Sequence, residues 1–501
     1  MELNEKKEIL KNSGWNIFTA FIQRLGGLIL TILLARFLLP DSFGIYNIAM
    51  SIAAIFISFH VGLNDTFLRF LSESLGNKNK RKTQNYFQYI SKLKLLLSGI
   101  ASLVLILLAY PLSFYIFKKE TLFLPLIFSS FYIFSFSMEA FFTQLFFATK
   151  KVKGAAFKEI ISQSLKIAFV FITFLSIASA YHISGVIIST FLASLIVSAG
   201  ILLYCHEHYS YLFKNKSKII REDIKRILKF FGYLAIWYAA FAFFSYIDIF
   251  MIGILISDSS FVGYYRSAFI LVSSIGGVLV FANILIPVLT QSKKYSLESA
   301  FNKACRYVMI ITIPSAFGLA VLGRYFIRAI YGYNYLPASQ PLYVLSFLLI
   351  VNVICSLFLV LFSSREKPHL HLPLLAAVIV VGIVSNYFLI SLFLKISSIA
   401  ATIGAAIATL LSMTVYDIGL YKVASTKLNV KADFSCVIKP TIASFVMLFS
   451  LIIYIALIKN MTLFTGILGV ILGVLIYTFV MFLIKGVDKN DYLLIKSTFK
   501  K

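Results

Sequence analysis

Apolar and polar positions along this chain show neither the two-residue alternation of an exposed strand nor, over most of its length, a single amphipathic stripe. The sequence falls instead into continuous apolar stretches separated by short basic segments, as in LLLSGIASLVLILLAY at 95–110. Stretches of roughly 18 to 25 residues are what a helix needs to cross a hydrocarbon core of about 30 Å. Strands of a membrane barrel would read as segments of about ten alternating residues, which these runs are not. The pattern predicts helices over 15–35, 43–63, 90–117, 121–148, 155–177 and 182–204, then 231–256, 264–290, 305–330, 339–363, 370–394 and 397–420, with a last pair at 439–458 and 462–485.

The fold expected is therefore an all-α polytopic membrane protein with about fourteen transmembrane helices. One connector departs from the apolar pattern. In KNKSKIIREDIKRILKFF (214–231) the residues Ile219, Ile220, Ile224, Ile227 and Leu228 share one helical face and Lys and Arg the other. That spacing suits a helix lying along a membrane surface, the alternative being a solvated loop.

Composition agrees with a membrane class: of 501 residues 60% are hydrophobic and 13% charged, more apolar surface than a soluble fold can hide. The net charge of +26 comes from 46 Lys and Arg against 20 Asp and Glu. With both termini on the cytoplasmic side, the great majority of those cations fall on cytoplasmic segments, the bias of the positive-inside rule, and an odd number of crossings would scramble it. Such segments are drawn to anionic lipid headgroups, so the basic charge calls for membrane lipids as partners and not for nucleic acid. The opening MELNEKKEILKNSGW carries mixed charge and reads as a cytoplasmic tail, not a signal peptide. The four cysteines have neither CxxC pairing nor metal-ligand spacing with histidine.

Two short internal matches indicate duplication. FGIYNIA (43–49) returns as VGYYRSA (262–268) at an offset of 219, and LFFATKKVK (145–153) answers VLFSSREKP (360–368) at 215. Each pair holds equivalent places in six-helix sets. The organisation expected is an N-terminal lobe over 1–210, the amphipathic connector over 211–230, a pseudo-equivalent C-terminal lobe over 231–430, and a final helix pair with a cytoplasmic tail over 431–501. Twin six-helix halves are a transporter plan, because two bundles can open a shared site to each side alternately.

The blocks WNIFTAFIQRLGGLILTILLARFLLPDSFGIYNIAMSI (15–52), YIDIFMIGILISDSSFVGYYRSA (246–268) and YGYNYLPASQPLYVLS (331–346) carry a resemblance. Over nearly its whole length the chain resembles the polysaccharide-exporter branch of the multidrug, oligosaccharidyl-lipid and polysaccharide exporter superfamily, the group of the O-antigen-type and other lipid-linked oligosaccharide flippases. The resemblance implies two lobes around a central cavity, with helices thirteen and fourteen packed outside. It also implies the cytoplasmic membrane of a prokaryote and a polyprenyl-diphosphate-linked oligosaccharide moved from the cytoplasmic to the external leaflet. Partners implied are that substrate and polysaccharide polymerase or ligase components.

Charges predicted to lie inside the membrane are the candidates for function, because each is costly there. Arg24 sits about ten residues into the first helix, beside Gln23 and beyond Asn16, and its planar guanidinium suits diphosphate oxygens. An arginine in helix one lines the cavity in resembling flippases; a buried ion pair is the other reading. Lys166, deep in the fifth helix, is a further cavity cation or a snorkelling residue, and Arg266, near the external start of the eighth, is a second-lobe cavity cation or a residue solvated by headgroups. Glu139 and Asp248 are deep acids that either pair with a cation or couple transport to Na+ or H+; for Glu139 a pair with Lys166 or Arg24 of the same lobe is the favoured reading. No other cofactor is expected. Arg36, Asp65, Arg69, Arg324, Arg328 and Asp417 lie near predicted helix ends, where anchoring is the default.

A cation-coupled drug or toxin extruder of the same superfamily is the rival. A major-facilitator transporter is disfavoured because LSESLGNKNKRKTQ (71–84) lacks that family's spaced Gly, Asp and Arg. A membrane glycosyltransferase would need an acidic or histidine-bearing external loop, and the predicted external connectors are of the order of ten residues, so no enzyme is expected. No Gly-rich filter loop points to a channel.

Overall fold

A backbone crossing hydrocarbon must satisfy its own N–H and C=O groups, which a helix does within one segment. The computed structural model describes residues 3–213, 219–279, 294–365, 368–458 and 462–486, and among them all regular structure is helical. The first half contains α1 (Leu3–Gly76), α2 (Lys80–Pro111), α3 (Phe123–Ala148), α4 (Val152–Ser176), α5 (His182–His208), α6 (Arg221–Leu255) and α7 (Ser260–Leu279). The second contains α8 (Lys294–Tyr331), α9 (Ser339–Leu345), α10 (Leu348–Ser364), α11 (Leu372–Leu394), α12 (Ser398–Leu428), α13 (Ser435–Leu457) and α14 (Leu463–Leu483).

Eleven of these helices are long and apolar enough to cross a membrane, and the stretch ending in α9 plus α10 makes a twelfth, bent by 49°. The bend divides the helix predicted over 339–363. There the backbone slips to i→i−3 bonding, with Phe347 N donating to Val344 O at 3.1 Å and Leu349 N to Ser346 O at 3.2 Å. α1 holds two predicted helices. Proline at 40 lacks an N–H and drives the residue before it out of helical geometry, so Leu39 takes φ 61° and ψ 170° and the axis breaks there. α7 is described over 20 residues, and the predicted continuation to 290 lies outside the described residues. Counted this way, the helices number about fourteen, as the apolar pattern predicts.

Several helices run longer than the hydropathy suggested. The second part of α1 continues to Gly76, so neither Asp65 nor Arg69 is at a helix end: Asp65 accepts a hydrogen bond from the Tyr238 hydroxyl at 2.6 Å, and the exposed Arg69 stacks 4.3 Å over Phe230. α12 continues to Leu428, which buries Asp417 well inside it. Residues 221–230, read from sequence as part of a surface-lying connector, are instead the first turns of α6, continuous with its spanning portion. The physical reason is that the apolar face is split: Ile227 is fully buried in the bundle core and Ile219 packs against it, while Ile220 and Leu228 stay exposed. Arg226 anchors this end through a bidentate bond to Glu73, both contacts 2.9 Å. Residues 214–218 of that connector lie outside the described residues.

The chain divides into two compact units, Met1–Gly263 and Tyr264–Lys501. In the first, α1 packs on α2, α3, α4 and α6, while α5 covers α3 and α4. Its core is aromatic: Phe67 lies 4.4 Å from Phe141, and Phe70 5.6 Å from Tyr86, ring centroid to centroid. Contacts of Gly62 with Leu234 and of Ile48 with Gly253 show the second part of α1 and α6 lying antiparallel along their length. Lys119, between α2 and α3, reaches across to donate to the carbonyls of Ile256 (3.1 Å) and Ser257 at the end of α6. Burial holds its ammonium below the ordinary lysine value, with Asp41 and Asp258 pulling the other way.

The repeat predicted from sequence has a structural counterpart inside this unit. A Cβ on Gly44 would overlap the carbonyl oxygen of Ser259, and a Cβ on Gly263 would overlap that of Pro40. Residues 44 and 263, and 40 and 259, are mates at the offset of 219 seen in the sequence. The two helix starts thus cross backbone to backbone in a pseudo-twofold arrangement that only glycine permits.

In the second unit α11 and α12 form an antiparallel pair in which Gly404 rests on the Leu389 carbonyl, and α13 and α14 pack on α8. Pro314 inside α8 cannot donate to Ile310 O, its i−4 carbonyl, and the Tyr477 hydroxyl of α14 supplies that bond at 2.7 Å. The final helix pair is thereby tied to α8 by a polar group that a proline released.

Gly44→Ala should destabilise the purified protein by about 1–3 kcal/mol, as overpacking of a close contact does, read as a lowered thermal midpoint in detergent. Gly99→Ala, where the new methyl meets nothing within 4 Å, should leave the midpoint unchanged or raise it. Equal shifts in the two variants would show that the crossing does not constrain the fold.

Candidate functional site

The spacing of polar residues on α4 builds the first locus. Lys158, Ser162 and Lys166 recur at i, i+4 and i+8 and so form one stripe, with Glu159 and Gln163 one position round the helix. The stripe faces α3, where Glu139 waits among apolar neighbours. Lys158 Nζ donates to Glu139 Oε1 at 3.0 Å, Ser162 Oγ to the same oxygen at 2.7 Å, and Lys166 Nζ lies 3.6 Å from Oε2. Lys158 also reaches Glu159 Oε2 at 3.0 Å, and Gln163 Nε2 donates to Glu159 Oε1 at 2.8 Å. Lys166 sits over the Phe136 ring, 5.6 Å from its centroid.

The four charged side chains are each 10% exposed or less. Two cations and two carboxylates make the network formally neutral, which is what allows it to persist away from water. Glu139 thus forms an ion pair with Lys166, and also with Lys158. For an anionic ligand to use Lys166, that ligand would have to replace Glu139 in the pairing.

The second locus is the α1 face that carries Arg24. α1 runs parallel to α4: Lys153 Nζ lies 5.9 Å from the Trp15 ring, Gln163 presses on Gly26, and Phe174 stacks on Phe37 at 4.7 Å. Contact through Gly26 turns Arg24, two positions back, to the opposite side of α1 from α4, and Asn16, Gln23 and Arg24 are all exposed on the first unit. Arg24 thus lies on the exposed side of α1, outside the buried network of the same unit.

Asp248 is buried in α6, which packs on α1, with Oδ1 accepting from Ile249 N at 2.8 Å. Arg266 belongs to the second unit, half-buried, its guanidinium 5.3 Å from the Phe269 ring centroid.

A third polar locus was not singled out from sequence. Lys94 of α2 is fully buried, donates to the His60 carbonyl of α1 at 3.1 Å and lies 5.9 Å from the Phe141 ring. His60 Nε2 meets Ser137 Oγ of α3 at 2.8 Å. The predicted start of this helix at 90 put Lys94 at its end, but α2 begins at Lys80, placing Lys94 about 21 Å along the axis. Asn79, whose side chain accepts from Lys82 N at 3.0 Å, is the N-cap signal that would have shown this. Lys158 and Glu159 fall near the predicted start of their helix at 155, where a charge reads as interfacial, yet the i, i+4, i+8 spacing of Lys158, Ser162 and Lys166 is present in the sequence.

Buried charge networks inside a bundle of about fourteen spanning helices, with a duplicated crossing of helix starts, define an integral membrane protein of a transporter-like fold. Solved structures agree on the fold. The lipid II flippase MurJ in an inward-closed conformation aligns over 93% of this chain and 97% of its own, with a TM-score of 0.68 and 17% identity. An inward-facing multidrug resistance MATE family transporter of the MOP superfamily aligns over 81% and 95%, TM-score 0.64 and 15% identity. The eukaryotic MATE transporter AtDTX14 aligns over 88% and 99%, TM-score 0.57 and 16% identity.

The sequence supplies the family: residues 9–293, more than half of the chain, match the polysaccharide biosynthesis protein model, and the chain belongs to that family. Among curated proteins, the probable low-salt glycan biosynthesis flippase Agl15 of Haloferax volcanii is 26% identical over 257 residues, 50% of this chain and 52% of the relative. The chain thus spans about half the length of the curated relative it matches.

Glu139→Gln should destabilise the protein by about 3 kcal/mol, because it leaves two buried ammonium groups sharing one carboxylate. Adding Lys166→Met to that variant should recover part of the loss, since Lys158 and Glu159 then remain as a balanced pair. Additive losses in the double variant, measured by thermal or denaturant unfolding in detergent, would exclude the coupling.

Proposed function

We propose that the protein is a flippase that carries a polyprenyl-diphosphate-linked oligosaccharide from the cytoplasmic to the external leaflet by alternating access. Family membership and a fold shared with a lipid II flippase support this reading. The single observation that carries it is the exposed polar face of Asn16, Gln23 and Arg24 on a helix otherwise made for hydrocarbon. A diphosphate and a sugar need such a face to cross, while the polyprenyl tail can stay in lipid. Arg24 binds the diphosphate, and its fork of donors matches phosphate oxygens. Lys166 and Arg266 are auxiliary cations of the pathway, Lys166 becoming available as its pairing with Glu139 is exchanged. Lys158 stays on Glu139 in that step and limits its cost.

The same reading sets the membrane orientation and the accessory components. The protein lies in a prokaryotic cytoplasmic membrane with both termini cytoplasmic, as the distribution of Lys and Arg supports. Asp248 and Glu139 are where a coupling Na+ or H+ would act, and polymerase or ligase components are the partners that would receive the product. The family's members are transporters, and the chain is taken as one and not as an enzyme.

The fold shared with MATE transporters favours one alternative, a cation-coupled extruder of drugs or toxins. The two readings separate in one reconstituted system. Proteoliposomes should move a fluorescently labelled lipid-linked oligosaccharide between leaflets and leave cationic dyes untransported. Arg24→Ala should slow that flipping about ten-fold or more, the loss expected when a charged hydrogen bond to phosphate is removed. Dye transport without lipid flipping would select the extruder, and unchanged flipping by Arg24→Ala would remove that residue from the site.

A further inference from the structure

The second unit holds a basic pocket that the transport reading does not use. A cavity of about 460 Å³ opens where α8 and α13 begin and α14 ends, the end that the charge distribution assigns to the cytoplasm. Lys303, Arg306, Lys439 and Lys485 line it, and Asp433 is the acid among its lining residues. Two of the cations are held in convergent positions: Arg306 Nη2 donates to Gly486 O at 3.3 Å and Lys439 Nζ to Lys485 O at 2.9 Å. Both bonds draw cations from α8 and α13 onto the end of α14, and neither neutralises them.

The pocket continues into an apolar groove. Ile310 lines both the pocket and a second cavity of about 420 Å³ formed by α8, α13 and α14, with Pro314, Gly318, Met447 and Gly473 among its walls. On α8 the residues Arg306, Ile310, Pro314 and Gly318 follow at intervals of four, one stripe that changes from basic to apolar along its length. From Arg306 to Gly318 is about 18 Å, comparable to one leaflet of a core about 30 Å thick. A free anion would use the cations but not the groove, and an apolar molecule the groove but not the cations.

We infer that this pocket and groove bind an anionic phospholipid, its phosphate among Lys303, Arg306 and Lys439 and one acyl chain along Pro314 and Gly318. Basic pockets between spanning helices on the cytoplasmic side are suited to such headgroups, and guanidinium and ammonium groups bind phosphate oxygens directly. The inference is independent of which substrate the protein moves.

The test uses the full chain, purified in mild detergent and offered phosphatidylglycerol, phosphatidylcholine or inorganic phosphate, with bound molecules counted by native mass spectrometry. Phosphatidylglycerol should be retained about ten-fold over phosphatidylcholine, and the triple variant Lys303→Gln, Arg306→Gln, Lys439→Gln should lose that preference. Gly318→Leu leaves every cation in place but fills the groove, so it should weaken phosphatidylglycerol retention even if the triple variant does not fold. Equal retention of the two lipids by the unmodified chain would overturn the site, as would displacement of phosphatidylglycerol by inorganic phosphate. Retention unaffected by Gly318→Leu would place the lipid elsewhere.

Discussion

Dehydration governs this molecule. A polar group carried into an apolar interior forfeits its water and is tolerable only where another part of the chain replaces it. Glu139 shows the rule at its most demanding, because a carboxylate 3% exposed needs cations brought to it, and α4 brings two. The same demand explains why the Tyr477 hydroxyl sits on the carbonyl that Pro314 leaves open, and why Lys119 binds the carbonyls ending α6. Lys94 meets it through the His60 carbonyl. In each case the replacement partner comes from a different segment of the chain, so satisfying the group also fixes how the helices pack.

That coupling matters because lipid offers helices little hydrophobic reason to associate: the tails are as apolar as leucine side chains. Association has to come from close packing and from polar partners. Gly44 and Gly263 serve the first need by letting two backbones meet, and Gly26 does so for α1 and α4, its surface occupied by Gln163. The Glu139 network serves the second by linking α3 and α4.

The two kinds of constraint leave Arg24 in a particular position. Glu139 and Glu159, the acids of the α3–α4 network, are matched with Lys158 and Lys166. The buried network is formally neutral, and Arg24 lies outside it, exposed on α1. In the basic pocket of the second unit Arg306 and Lys439 are held on main-chain carbonyls at the end of α14.

Period and length were enough to read the helices from the sequence, since the hydrocarbon core imposes one span on each apolar run, and the 219-residue offset already held the glycines that cross. The depth of a charge was harder to read. Lys94, Asp65 and Asp417 appeared interfacial because hydropathy marks where a helix becomes apolar and not where its backbone bonding begins, and α2, α1 and α12 all extend further. Which charges meet was legible in part: a pairing of Glu139 with Lys166 or Arg24 follows from their depth in the first lobe, and the structure makes the Lys166 pair and adds Lys158. The sequence by itself determined an all-helical membrane protein, its approximate spans, its duplication and the residue types able to bind a phosphate. Only the tertiary structure decided that Glu139 takes Lys158 and Lys166 while Arg24 stays exposed. Pairing depends on which faces of α1, α3 and α4 pack together, and that is settled by contacts between residues far apart in the chain.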